Sequence, residues 1–137
     1  MNELKPFIDK TYRTKSNAKN TALIGSSLGG LISFYGGLKY PSVFGKIGAL
    51  STSFWFSDEI YEFATKNGNQ KNLKIYLLVG GKEGEMMVPD TEKMVKTLSE
   101  IGFPSKKIKT KIVPEGKHNE AFWKSEFLET INFLFKI

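Results

Sequence analysis

The sequence predicts an α/β fold, a parallel β-sheet of about four strands with helices on both faces, and three observations predict it. Short apolar runs alternate along the chain with longer segments whose apolar residues recur at helical spacing. One run, LKIYLLVG at 73–80, is apolar almost throughout, as strands buried on both faces of a parallel sheet are. Glycine and proline fall at the joins between runs, where strand–helix units need their turns.

Residues 2–12 read as a helix, with Leu4, Phe7, Ile8 and Tyr12 at helical spacing. A strand follows at 21–25. LGGLISFYGGLKY, 28–40, is a helix stopped before Pro41, because proline disfavours helical backbone in the residue ahead of it. KIGALS, 46–51, is the second strand. SDEIYEFATKNG, 57–68, opens on Ser57 or Asp58 as N-cap and ends at Gly68, which suits a left-handed C-cap. After the strand at 73–80, PDTEKMVKTLSEIG, 89–102, carries proline and acids in its first turn and glycine at its end. KIKTKIV, 107–113, alternates strictly and reads as a half-exposed strand near the sheet edge. The last helix, 119–136, puts Phe122, Trp123, Phe127, Ile131, Leu134 and Phe135 on one face.

A chain of 137 residues fits a single domain, 1–137, with no repeat or linker in it. Apolar content of 40% and charge of 25% are those of a soluble globular protein, and no run approaches the roughly 18 apolar residues of a membrane span. The N-terminus is charged where a signal peptide is apolar, so a cytoplasmic location is expected. There is no cysteine and one histidine, which excludes disulfides and cysteine- or histidine-rich metal sites. The net charge of +6 comes from lysines spread along the chain, without the arginine-rich patches of nucleic-acid readers. Neither nucleic acid nor membrane is expected as a partner.

TALIGSSLGG, 21–30, runs a strand into two serines hemmed by glycines. Gly25-Ser26-Ser27-Leu28-Gly29 fits G-x-S-x-G between strand and helix, the setting of a nucleophile elbow. The central serine takes a strained backbone, and side chains two positions to either side are expected to collide across the turn. Ser27 is therefore the candidate nucleophile; Ser26 lacks a glycine two positions before it. A serine needs a base, and His118 is the one candidate. It follows the last strand, so a parallel sheet brings it to the same carboxyl edge as Ser27. A third group should hold the imidazole's tautomer. The loop after the third strand offers Glu83, Glu85 and Asp90, with Glu83 nearest the strand end. The backbone N–H of Leu28, at the positive end of a helix, can donate to a developing oxyanion.

Together, GSSLGG, YPSVFGKIGALSTSFWF, VGGKEG and KHNEAFW resemble the "Putative esterase" family of the α/β-hydrolase superfamily, whose members include enterochelin esterase-like, feruloyl esterase-like and esterase D-like enzymes. Four separated motifs in the right order carry the resemblance over nearly the whole chain. It implies hydrolysis of a small-molecule carboxylic ester, with Ser27 as nucleophile, Leu28 as oxyanion donor, Glu83 as acid and His118 as base. It also implies that Ser53 and Trp55 line the substrate site; packing in the core is the other reading of Trp55. No metal or cofactor is called for.

The resemblance is to the C-terminal half of the family fold. No strand precedes residue 20, so the loop that completes the oxyanion hole has no counterpart. Two expectations follow. Strand 21–25 becomes an apolar edge, which pairs with a second copy or with the missing half as a separate polypeptide. The alternative to an ester hydrolase is a catalytically silent fragment or scaffold that keeps the site residues but lacks half the oxyanion hole.

Overall fold

The computed structural model describes residues 2–136; Met1 and Ile137, the ends of the expected domain, lie outside the described residues. In chain order the elements are α1 (Leu4–Thr11), β1 (Ala22–Ser26), α2 (Leu28–Lys39), β2 (Lys46–Leu50), α3 (Glu59–Asn67), β3 (Lys74–Gly80), α4 (Met87–Glu100), β4 (Ile108–Val113) and α5 (Glu120–Phe135). The strands form one sheet in the order β1-β2-β3-β4, every pair parallel. Ser26, Leu50, Leu78 and Lys111 lie level across it, so the loops leaving the carboxyl ends start side by side.

Alternation along the strands sorts their side chains between two helical layers. On one face Ile47, Ala49, Ile75 and Leu77 pack against Phe34 and Leu38 of α2, Ile60 and Ala64 of α3, and Met94 and Leu98 of α4. On the other, Leu50, Tyr76 and Leu78 meet Leu134 of α5, with Ile24, Phe122 and Trp123 half-buried beside them. β3 is buried along nearly its whole length, as its apolar run requires. β4 is an edge strand of intermediate burial, as its alternation predicts.

Three expectations change. α1 has its apolar spacing but buries no residue, and Leu4, Phe7 and Tyr12 are exposed. Gly68 ends α3 with φ −76°, a right-handed value, whereas Gly102 after α4 is left-handed, with φ 78°. Phe127, placed on the apolar face of the last helix, is 47% exposed and lines an open groove with Ile24, Leu50 and Trp123. Among the described residues no helix is long and apolar enough to cross a membrane.

Candidate active site

Ser27 sits between β1 and α2 with φ 56° and ψ −123°, a conformation that costs a non-glycine residue about 1–3 kcal/mol. The turn is held from both sides. Ser27 N donates to Leu50 O (2.9 Å), and Ser27 O accepts from Leu31 N (3.1 Å) and Ser53 N (3.2 Å). A Cβ on Gly25 would lie 2.3 Å from Gly29 O, so nothing larger fits there. At Gly29 a Cβ would meet nothing within 4 Å, which corrects the expectation that both glycines are demanded by collision. Leu28 opens α2, whose first-turn N–H groups have no partner within the helix.

Three loops converge on this serine. His118 Nε2 is 2.9 Å from Ser27 Oγ, and His118 Nδ1 is 3.0 Å from Glu83 Oε2. A carboxylate only accepts, so Nδ1 carries the proton and Nε2 is free to accept the serine's. The Glu83 side chain is fully buried, whereas His118 is about a third exposed. Gly80 makes this approach possible: a Cβ there would lie 2.4 Å from the Gly116 backbone and 2.7 Å from Glu83 Oε1. Backbone bonds from Gly81 N to Val113 O (2.8 Å) and Lys82 N to Gly116 O (2.9 Å) clamp the acid-bearing loop to the histidine-bearing one. Asn119 then caps α5 by accepting from Phe122 N (3.0 Å), which fixes the backbone immediately after His118. Of the other acids weighed, Glu85 is exposed and Asp90 is buried in the first turn of α4, where Tyr61 donates to its carbonyl; neither is bonded to His118.

Ser53 is buried with its Oγ 3.3 Å from Ser27 Oγ, inside the site. Trp55 is 60% exposed, which removes core packing as its role. Two further residues escaped sequence reasoning. Ser51 directly follows β2, is fully buried with φ 45°, and donates to Glu83 Oε1 at 2.6 Å. Trp123 donates its indole N–H to Ser51 Oγ at 2.7 Å and sets its ring edge-to-face with His118, centroids 5.1 Å apart. The only sequence signals were a serine closing an apolar strand and an indole's need for a partner when buried.

The family model described as "Putative esterase" matches residues 1–134. The chain belongs to this esterase family. YbbA of Bacillus subtilis, described as uncharacterized, is 27% identical to the esterase-family chain over 98% of it and 56% of YbbA. An endo-1,4-beta-xylanase/feruloyl esterase of Xylanibacter ruminicola is 30% identical over 99% of the chain and 17% of that protein. The enterobactin esterase FES of Shigella flexneri, solved in the presence of enterobactin, superposes with a TM-score of 0.86 at 26% identity, over 98% of this chain and 35% of that one. The chain thus spans about half the length of YbbA and about a third of the Shigella enzyme.

Proposed function

We propose that this chain carries the nucleophile, base and acid of a serine hydrolase that cleaves carboxylic esters. The observation that supports it is the continuous line from Ser27 Oγ through His118 to Glu83, assembled at 2.9 Å and 3.0 Å by loops leaving three different strands. Ser27 Oγ attacks the ester carbonyl while His118 Nε2 takes its proton; Glu83 remains ionised and stabilises the imidazolium. The Leu28 N–H donates to the tetrahedral oxyanion. Collapse breaks the bond to the leaving oxygen, which takes the proton from Nε2, and leaves an acyl group on Ser27. Water, deprotonated by the same histidine, then releases the acid and restores Ser27. Ser53 and Trp55 line the side from which the ester enters.

One oxyanion donor in place of two costs on the order of 3 kcal/mol, or 100- to 1000-fold in rate. A chain limited to the Leu28 donor would be the silent-scaffold reading. Labelling with a fluorophosphonate separates the two, since it needs the activated serine and not turnover. The expected result is one label on Ser27, absent from Ser27→Ala; a wild-type chain that stays unlabelled sinks the hydrolase reading.

The edge of β1 is where a second donor would enter. Its apolar residues Leu23 and Ile24 and the exposed apolar residues of α1 suit cover by further strands, and the relatives are longer than this chain. The partner proposed is a second copy of this chain or the strands that complete the fold, paired along this edge. Clean monomers in sedimentation, with rapidly exchanging amide protons along Ala22–Ser26 in protein isolated from its native cell, would count against it.

A further inference from the structure

The triad acid is itself held by a relay whose direction the chemistry fixes, and we infer that Ser51 and Trp123 are positioning residues for His118. An indole nitrogen only donates, so the 2.7 Å contact makes Trp123 the donor and Ser51 Oγ the acceptor. A carboxylate only accepts, so the single proton of Ser51 goes to Glu83 Oε1 at 2.6 Å. Gly80 N donates to the same oxygen at 2.7 Å. Oε1 is then occupied by two donors, which leaves Oε2 for His118 Nδ1. The carboxylate can neither rotate nor turn its other oxygen to the imidazole without breaking both bonds.

Two observations mark this as more than incidental packing. Ser51 keeps a left-handed φ of 45° while fully buried, a conformation that persists only where the surroundings over-determine it. And Trp123 reaches the triad by two routes, bonding Ser51, which holds Glu83, and packing against the His118 ring that Glu83 orients. The tryptophan comes from α5 and the serine from the end of β2, so the relay ties the last helix to the centre of the sheet. The inference takes its purpose from the ester-hydrolase reading and its geometry from the hydrogen bonds alone.

His118 is the only histidine of the chain, so the proton on its Nδ1 can be followed without ambiguity by NMR. In the wild type this proton should resonate far downfield and exchange slowly. In Ser51→Ala it should move upfield and exchange faster, and Ser51→Gly should do the same although glycine relieves the φ strain. Trp123→Phe keeps the ring and removes the N–H, and should give a smaller displacement in the same direction. Fluorophosphonate labelling of Ser27 should slow about tenfold in Ser51→Ala, the worth of one charge-assisted hydrogen bond. A Nδ1 proton unmoved in folded Ser51→Gly and Trp123→Phe overturns the relay. If Ser51 variants fail to fold, Trp123→Phe decides alone. A wild-type chain that never labels defeats the hydrolase reading, and the proton spectrum still decides the relay.

Discussion

The two faces of the sheet are built differently. The face under α2, α3 and α4 is closed by aliphatic and aromatic contacts, with Phe34 and Phe54 edge to face at 5.3 Å and both fully buried. The face under α5 has one helix for four strands, and charge covers what a second helix would. Lys109 and Lys111 of β4 bond Glu126 and Glu129 of α5 at 2.6–2.7 Å, while Lys46 and Lys74 lie over Phe135 and Phe133. Beside β1 the cover runs out, and Ile24, Leu50, Trp123 and Phe127 line an open groove. The dense face therefore fixes the fold, and the thin face, which contributes Trp123, governs how firmly the site is held.

The contrast should break hardest at Phe34. Phe34→Ala removes a ring with no exposure and should cost about 3–5 kcal/mol, read as a fall in the urea midpoint. On the thin face the sharpest lever is pH. Hydrogen bonds from Lys109 and then Lys111 hold the Glu129 carboxyl at about 2, below its ordinary value. A depressed carboxyl stabilises the fold fully above the ordinary range near pH 4.3, and that contribution is lost as pH falls toward about 2. The advantage of wild type over Glu129→Gln in denaturant midpoint should be level above about pH 5, shrink through that window and diminish with salt. Solvent screening keeps it below about 1 kcal/mol. The smallest effect belongs to Phe127→Ser, which should change the chain's own stability by no more than about 0.5 kcal/mol and weaken pairing with the proposed partner. A loss comparable to that of Phe34→Ala would show that the two faces are equally packed after all.

The order of elements and the meeting of Ser27 with His118 were legible because both follow from pattern. A motif marks the elbow, the chain has one base, and parallel strands deliver their following loops to one edge. Glu83 could be preferred over Glu85 and Asp90 from its distance to the strand end. Ser51 was not legible: it takes a left-handed backbone without being glycine, and it extends an apolar strand by one residue. Trp123 has the spacing of a core residue, and its polar edge leaves no mark on periodicity. α1 shows the same limit, since helical spacing announces an apolar face without naming what lies against it.

The consecutive strand order bears on how the protein is made. Each strand leaving the ribosome finds its neighbour already synthesised, so the sheet can grow by simple addition from β1. His118 and Trp123 follow all four strands in the chain, so under the proposed function Ser27 meets its base only once the sheet is complete. On that reading the order of synthesis holds the proposed nucleophile in reserve until α5 docks.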